Sequence, residues 1–492
     1  MALLVATAAG TVGGIALAQS PLLAWPPVDQ ALLGLVGGLS MLLFWSIHAH
    51  ALAQGHQAHA RKMRVRFGIA FGGLAAIAGL TFLPSGRYWG MFGPLASDRL
   101  AAYDRLGRLM ARAYPYFQEK DVDWPALLAA YRPRVMEAKS DDAYATALGE
   151  LLLALNDAHT GVTTPWADTR CCFALTQKIE GQAVVTVAGS RAREAGLVRG
   201  AVVRSVDGLA VSDALERVHP ALRGGSTPWQ RRYRAYAYLL STTRDAEGLT
   251  VTYKAPDGVE RTVTLRWDAP APPGDATSDE GPIVTGERLP SGVGLIRVPT
   301  LVSRPRHDLV AEFDAALDPL LDASALILDL RGNGGGDSSL GERMAGRLLP
   351  EPYAYGAYVF RTRMPQHLWA ARFDVEALPR TPTYDGPVAV LIDTGVMSSA
   401  EDILAALVDS GRVITVGRRT AGSSGNPVSV RMPGGVHVRY STGTMLRADG
   451  TPIEGRGFAP DVAVNWTVED VRQDRDPDIA AAEGHLLDAA SP

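Results

Sequence analysis

Two segments of the chain share a pattern that strongly constrains the fold: an apolar strand runs into a short loop and then into an amphipathic helix. They are ALILDLRGNGGGDSS, residues 325–339, and VAVLIDTGVMSSAEDILAAL, residues 388–407. From Gly292 onward such elements alternate, with predicted strands at 293–298, 325–330, 388–392, 413–416, 428–431 and 436–440 and predicted helices at 307–321, after Asp337 and from Ser399. This alternation is typical of a layered α/β domain with parallel strand pairing. We predict that this core covers 286–470 and that a C-terminal tail, 471–492, follows it.

The first segment ends in glycines whose backbone amides can converge on an anion. Phosphate is a poor fit, because the phosphate-binding motifs require Gly-Lys-Ser/Thr or Gly-x-Gly-x-x-Gly, whereas Asp337 follows the glycines here and would repel phosphate. The transient oxyanion of acyl transfer needs only one or two N–H donors at fixed range. The turn therefore favours an oxyanion hole over a nucleotide site, and a plain strand-to-helix turn is the alternative.

In the second segment, Ser399 stands at the start of the predicted helix. Serine is a common N-cap, so capping alone would explain this position. A helix N-terminus also stabilises negative charge near the hydroxyl oxygen, and the amide of Ala400 can point toward the same oxyanion. This segment alone leaves both interpretations open.

Taken together, the two segments resemble the C-terminal processing peptidases, the tricorn core proteases and the interphotoreceptor-retinoid-binding-like modules. The motifs that carry the resemblance are DLRGNGGG at 329–336 and, after the next predicted strand, SAE at 399–401. The resemblance extends from about Ser97 to Val464 and implies a crotonase-like αβ catalytic core. It also implies that Ser399, rather than Ser398, is the nucleophile.

With Ser399 as nucleophile, we expect backbone amides of the two motifs to form the oxyanion hole. The expected donors are Gly335 and Ala400, with Gly334 or Gly336 as alternatives to Gly335.

The resemblance also bears on the base that must activate the serine. In the processing branch this base is a Lys within G-x-x-T-x-G-K, and the matching residues, 417–423, end in Ser423 instead. In the tricorn branch the base is a His in the turn between the helical bundle and the β module, and a Glu near the chain end orients it. The matching residues are His159 and, within 449–464, Glu454. The resemblance therefore implies a triad of Ser399, His159 and Glu454.

Some residues near this implied triad allow other interpretations. The tricorn pattern has a Ser directly before the His, where this chain has Ala158. His159 could be a capping or surface residue, and Glu454 could pair with Arg456. Asp157 is expected to form the turn rather than to take part in catalysis.

The first 93 residues predict a membrane region. Three apolar stretches, 2–25, 31–47 and 67–83, approach the length that crosses hydrocarbon. The basic residues Arg61, Lys62, Arg64 and Arg66 place the loop 48–66 in the cytoplasm. We therefore expect a multi-pass inner-membrane protein with three transmembrane helices and everything after about residue 90 outside the cytoplasm. A cleaved signal peptide is the alternative for the first stretch, and buried helices of a soluble domain are the alternative for the region.

The part between the membrane region and the α/β core divides into a helical bundle, 97–165, a β-rich module, 170–268, and a linker, 269–285. Within the module, AREAGLVRGAVVRSVDGLAV at 192–211 resembles the PDZ domains of bacterial proteases, which receive chain ends by strand addition. A β hairpin is expected around Asp257-Gly258. A plain β domain without a ligand is the alternative for this module.

The overall charge and the minor residue types exclude several functions. The chain has 48 Lys and Arg against 52 Asp and Glu, for a net charge of −4, so no nucleic-acid partner is expected. The two cysteines, Cys171 and Cys172, are adjacent and give no disulfide framework. The histidines of the predicted cytoplasmic loop, His48, His50, His56 and His59, fit a solvated loop better than a metal site. We expect no metal and no cofactor.

These inferences predict a membrane-anchored serine peptidase that acts on extracytoplasmic polypeptides. The alternatives are a ligand-binding or peptide-binding protein on the same fold and a small-molecule esterase. The sequence carries no signal of the oligomeric state.

Overall fold

The computed structural model describes residues 98–164, 169–170, 173–243, 247–266, 281–361 and 372–490. The three apolar stretches, the histidines of the 48–66 loop and most of the 269–285 linker lie outside these ranges. Among the residues within them, every helix is too short or too polar to cross a membrane. The described residues divide into two compact units, of which the smaller contains residues 98–113, Arg361 and 429–433.

The first described elements are helices: α1 (Arg99–Ala113) in the smaller unit, and α2 (Trp124–Glu137) and α3 (Asp141–Leu153) in the larger one. The predicted N-cap of α3 is confirmed, because the Ser140 side chain accepts a hydrogen bond from the amide of Ala143. Helix α3 buries Tyr144, Leu148, Leu151 and Leu152 at the spacing that the sequence indicated. The chain then enters the turn that carries His159.

The β-rich module forms around a five-stranded path of β3 (Ala174–Ile179), β4 (Gln182–Ala188), β5 (Val202–Val206), β8 (Gly248–Lys254) and β9 (Glu260–Arg266), with β6 (Leu209–Ala210) paired to β5. The predicted hairpin at Asp257-Gly258 is confirmed as the antiparallel pair β8–β9. The elements of this part are β1 (Gly161–Thr163), β2 (Thr169–Arg170), β3 (Ala174–Ile179), β4 (Gln182–Ala188), α4 (Ser190–Glu194), β5 (Val202–Val206), β6 (Leu209–Ala210), α5 (Val211–Arg217), α6 (Pro220–Arg223), α7 (Pro228–Ala237), β7 (Thr242–Thr243), β8 (Gly248–Lys254) and β9 (Glu260–Arg266).

The insertion that contains α7 covers the free edge of β3. The amide of Phe173 donates to the Leu240 carbonyl at 3.3 Å, and the Thr176 hydroxyl donates to the Tyr236 carbonyl at 2.5 Å. A peptide that added to this edge would have to displace the end of α7 and the residues after it.

The α/β core is built on a six-stranded sheet in the order β10 (Thr285–Arg288), β11 (Gly294–Arg297), β12 (Leu326–Asp329), β15 (Val388–Ile392), β16 (Ile414–Gly417) and β20 (Val462–Ala463). The predicted parallel pairing is confirmed, since every neighbouring pair except β10–β11 is parallel. The elements are β10 (Thr285–Arg288), β11 (Gly294–Arg297), α8 (Leu309–Leu317), β12 (Leu326–Asp329), α9 (Ser338–Ala345), β13 (Tyr353–Phe360), β14 (Arg372–Ala377), β15 (Val388–Ile392), α10 (Ser399–Asp409), β16 (Ile414–Gly417), β17 (Val428–Arg431), β18 (His437–Tyr440), β19 (Gly443–Arg447), β20 (Val462–Ala463), α11 (Val468–Arg472) and α12 (Pro477–Ala490).

Both faces are covered at the centre of this sheet, which explains why β12 and β15 are almost wholly apolar. Helices α8, α9 and α10 pack on one face, where Leu328 and Val390 are buried. Helix α12 packs on the other through Ala482 and Leu486. The mixed α/β class predicted from the sequence is therefore confirmed. The predicted tail contains α12, whose Asp478 accepts hydrogen bonds from two arginines of the core.

Parallel strands β12 and β15 are neighbours, so their carboxyl ends lie at the same edge of the sheet. The glycine turn follows β12, and the loop to Ser399 follows β15. This edge is where ligands bind in open α/β sheets. The fold thus brings the two sequence motifs together.

Candidate active site

The backbone before Ser399 is held in a sparsely populated conformation. Ser398 has φ 57° and ψ −133°, and it caps α10 without a side-chain hydrogen bond. Its amide donates to the Ser423 carbonyl at 2.9 Å, and the amide of Met397 donates to the Asn333 carbonyl at 3.1 Å. The capping explanation of Ser399 is wrong, because the cap is Ser398 and Ser399 is the first residue of the helix.

The Ser399 hydroxyl is buried, with 5% of the residue exposed, and it faces the glycine turn and α9. Its Oγ lies 2.9 Å from the Gly336 carbonyl oxygen and 2.9 Å from Oγ of Ser338. The sequence motifs predicted the proximity to the glycines. They gave no sign of Ser338, which lies two residues beyond them.

Behind Ser338 lies a buried carboxyl group, Asp402 of α10. Its Oδ2 accepts a hydrogen bond from Ser338 Oγ at 2.8 Å and another from the Tyr358 hydroxyl. Burial raises the pKa of Asp402 to about 6, although both of these hydrogen bonds oppose the rise. A carboxyl group that titrates near neutrality is thus linked through one hydroxyl to the predicted nucleophile.

The glycine turn packs directly under the start of α10. A Cβ on Gly335, whose φ is +86°, would lie 2.8 Å from the Met397 carbonyl oxygen and 2.9 Å from the Ser399 nitrogen. The Gly335 amide donates to Oδ1 of Asn333 at 2.9 Å, and the Ala400 amide donates to the Met397 carbonyl at 3.2 Å. The two amides first expected in the oxyanion hole, those of Gly335 and Ala400, therefore already donate hydrogen bonds within the protein.

The alternative glycines differ from Gly335 in this respect. Within the described part of the chain, the amides of Gly334 and Gly336 donate no hydrogen bond. The carbonyl of Gly336 already touches Ser399. Oxyanion roles for these amides stay predictions.

His159 is also buried. Its ring contacts Ser423, the residue that stands where the processing peptidases have their catalytic lysine. Nδ1 of His159 lies 3.1 Å from Oγ of Ser423. Ser226, in the turn before α7, adds a second hydroxyl 3.2 Å from that of Ser423 and accepts from the Ala158 amide at 3.2 Å. The serine at the lysine position therefore contacts the imidazole directly.

Burial lowers the pKa of His159 to about 4, and the positive charges of Arg439, Arg234 and Lys120 act in the same direction against the nearby Asp157. At neutral pH the imidazole is therefore uncharged and able to accept a proton. Asp157 forms the turn, as expected, by accepting from the His159 amide at 2.9 Å and from the Thr160 hydroxyl at 2.6 Å.

The Glu of the SAE motif joins the serine and histidine parts of the site. Glu401 is completely buried and accepts from the amides of Gly422 at 2.9 Å and Ser423 at 2.8 Å, and from the Thr420 hydroxyl at 2.5 Å. Burial raises its pKa to about 8. Glu401 thereby fixes the turn that carries Ser423 to the imidazole.

Glu454 lies near this turn but contacts other groups. Its carboxylate pairs with Nζ of Lys120 at 2.6 Å and accepts from the Ser424 amide at 2.8 Å, rather than pairing with Arg456. Burial raises its pKa to about 7. In the described residues neither Glu454 nor Ser399 is hydrogen-bonded to His159, so the triad stays a prediction. No three His, Cys, Asp or Glu side chains in those residues converge as metal ligands.

Comparison with known proteins matches two parts of the chain to models of peptidase domains. Residues 292–464 match the model of peptidase family S41, and residues 96–153 match the tricorn protease C1 domain. A carboxyl-terminal-processing protease from Picosynechococcus sp. is 24% identical over 404 residues, which are 76% of this chain and 86% of that protein. An uncharacterised protein from Chlamydia muridarum is 35% identical over 92 residues, which are 18% of this chain and 15% of that protein.

Among solved structures, mature CPAF complexed with lactacystin shares the fold. Its TM-score is 0.64 at 18% identity, with 80% of this chain and 97% of that chain covered. The chain is therefore a serine-type peptidase, with one part similar to peptidase family S41 and another similar to the tricorn protease C1 domain. The enzyme class predicted from the two motifs is confirmed, and the non-catalytic binding protein is set aside.

Proposed function

We propose that this peptidase is anchored by residues 1–93 in the inner membrane, acts outside the cytoplasm on polypeptides, and uses Ser399 as its nucleophile. The observation that supports the choice of Ser399 is its position at the carboxyl end of β15, in contact with the glycine turn. Ser423, the contact of His159, is joined to the residue before Ser399 by a backbone hydrogen bond.

In the proposed reaction the Ser399 hydroxyl rotates from Gly336 toward His159, which takes its proton as the oxygen attacks the scissile carbonyl carbon. Ser423 holds the imidazole through Nδ1, which leaves Nε2 to face the reacting hydroxyl. The resulting imidazolium protonates the leaving amine, and water then hydrolyses the acyl-enzyme by the same steps. Glu454 is proposed to stabilise the imidazolium across the Ser424 turn, as in the tricorn-like arrangement.

The oxyanion is proposed to bind backbone amides of the glycine turn and of Ala400. Gly336 fits this role best, because its amide donates no other hydrogen bond in the described residues and its carbonyl already touches Ser399. The Ala400 amide would exchange its long hydrogen bond to Met397 for one to the substrate oxygen.

A basic cavity of about 510 Å³ beside α7 is the proposed entry for the chain end of the substrate. It is lined by Lys178, Arg231 and Arg232, and within the described ranges none of the three pairs with a carboxylate. The cavity also reaches Asn156, whose carbonyl is bound by Lys120, the partner of Glu454. A terminal carboxylate would compensate this positive charge without adding a strand to β3.

The proposed peptidase activity is tested by hydrolysis of an unstructured protein such as casein. Ser399→Ala should abolish cleavage, whereas Ser410→Ala, at the other end of the same helix, should leave it unchanged. Cleavage that persists in the Ser399 variant would contradict the assignment of the nucleophile.

Anchoring and topology are tested separately with reporter fusions after residue 93. A reporter active only outside the cytoplasm should be active there. Activity of a reporter that works only in the cytoplasm would overturn the proposed placement.

A further inference from the structure

The Ser399 hydroxyl is the first member of a hydrogen-bonded chain that does not include His159. Ser399 Oγ is 2.9 Å from Ser338 Oγ, which is 2.8 Å from Oδ2 of Asp402. Its two ends are buried, because Ser399 and Asp402 are 5% and 6% exposed, and Ser338 between them is partly exposed. Such a chain can carry a proton once the Ser399 hydroxyl has turned from the Gly336 carbonyl to Ser338.

The number of protons fixes the direction of the chain. Each hydroxyl has one proton, and an ionised carboxylate only accepts. When Asp402 is ionised, Tyr358 and Ser338 both donate to its Oδ2. Ser338 then has only lone pairs left for Ser399. In the resting structure Ser399 donates its own proton to the Gly336 carbonyl, so it becomes the donor to Ser338 when its hydroxyl turns from Gly336 to Ser338. The chain therefore runs from the nucleophile to the carboxylate.

The surroundings of Asp402 raise its pKa above that of an exposed aspartate. On β13, the Tyr358 hydroxyl faces it, and Tyr355 lies beyond with a hydrogen bond to Glu342 of α9. Glu342 repels negative charge on Asp402, and burial acts in the same direction. Among the described residues, the groups that shift the Asp402 pKa are Tyr358, Ser338 and Glu342, and none of them is a cation. Asp402 would therefore accept a proton as a negatively charged carboxylate, whereas His159 accepts one as an uncharged imidazole.

We propose that Ser338 and Asp402 form a second proton acceptor for Ser399, which acts beside His159. This inference rests on Ser399 being the nucleophile. As the Oγ–C bond to the scissile carbonyl forms, the Ser399 proton passes to Ser338 Oγ, and the Ser338 proton passes to Oδ2 of Asp402. The C=O electron pair moves to the oxyanion. On collapse the C–N bond breaks, the leaving nitrogen takes the Ser338 proton, and Asp402 returns its own to Ser338.

The experiment measures the rate of covalent labelling by a fluorophosphonate, a reaction that needs only the activated serine. In a His159→Ala background, labelling should persist above that of Ser399→Ala and should rise with pH around the Asp402 pKa of about 6. Adding Ser338→Ala or Asp402→Asn should lower this residual rate about 100-fold and abolish its pH dependence. Ser338→Thr, which keeps the hydroxyl, should restore both.

Two further variants separate the proton route from a merely structural role. Tyr358→Phe removes a hydrogen bond that lowers the Asp402 pKa, so it should move the midpoint to higher pH. Ser339→Ala is the matched control, because this exposed neighbour has its side-chain hydrogen bond to Asp337 and, in the described residues, none to Ser399 or Asp402. It should leave the rate unchanged.

The outcomes are distinct for the two proposals. Absence of labelling in the wild-type protein would refute Ser399 as nucleophile. Normal wild-type labelling with no residual rate in His159→Ala would refute the second acceptor, as would Ser338→Ala labelling as fast as its parent. The last result would mean that Ser338 only holds the resting hydroxyl in place.

Discussion

Ser399 and its neighbours come from two strand–turn–helix segments of one sheet, whereas His159 is held by turns from distant parts of the chain. The serine side is joined by the parallel strands β12 and β15, which place the glycine turn and the start of α10 at one edge. The histidine side depends on Ser226, Ser423 and the buried Glu401. The sheet defines the nucleophile's position, and hydrogen bonds of a few polar side chains define the base's position.

This difference predicts that the two sides respond differently to mutation. Changes on the histidine side should lower reactivity because the turn that carries Ser423 no longer holds the imidazole, while the sheet and Ser399 stay in place. The predictions below run from the largest expected effect to the smallest.

His159→Ala should lower the rate of peptide cleavage by about 1000-fold, since it removes the principal base. In the wild type, the imidazole pKa of about 4 keeps it uncharged down to that pH, so its contribution should be lost only as pH falls through about 4. Steady-state rates across pH measure this. Loss of the His159-dependent rate already near pH 6.5, the ordinary histidine value, would show that the ring is not buried as described.

The same histidine makes stability depend on pH. Its pKa is lower in the folded than in the unfolded protein, so the unfolded chain binds more protons between about 6.5 and about 4. His159 should therefore destabilise the fold as pH falls through that window, and His159→Ala should reduce this loss. Urea unfolding at two pH values checks the sign.

Glu401→Ala should destabilise the fold by about 3 kcal/mol, because two buried amides and the Thr420 hydroxyl lose their acceptor. Activity should fall with it as the turn that holds Ser423 loosens. The matched control is Glu469→Ala on α11, an exposed residue. Denaturant unfolding measures the effect, and equal stability of the two variants would contradict the proposed role of Glu401.

Arg231→Ala combined with Arg232→Ala should raise KM by about 10-fold for peptides with a free C-terminus, with little change in kcat. Amidated peptides should show no such difference, because they lack the carboxylate. Arg204→Ala, at an exposed position of β5, serves as control. An equal effect on free and amidated peptides would argue against a carboxylate site in the basic cavity.

The serine side was largely predictable from the sequence because it follows from local patterns. Residues 388–392 and 399–409 are a strand and a helix where the apolar spacing placed them. Their proximity to the glycine turn followed from parallel pairing. Ser338 and Asp402 were missed. Both lie in the first turn of a helix, just after one of the two motifs, and this position was the only signal of their role.

The histidine side was less predictable because its contacts join residues far apart in sequence. Ser226 lies in an insertion that departs from the compact PDZ pattern, and Ser423 was noted only as a replaced lysine. The partner of Glu454 is Lys120, not Arg456, because the helical region brings that lysine across from more than 300 residues away. No periodicity encodes such pairs.

The most direct test of the account is to label the full-length protein with a fluorophosphonate and to locate the adduct by peptide mass spectrometry. The account predicts one adduct, on Ser399, formed in the wild type and the Ser398→Ala variant and absent from Ser399→Ala. An adduct on Ser338, Ser398 or Ser423, or labelling that survives Ser399→Ala, would contradict it.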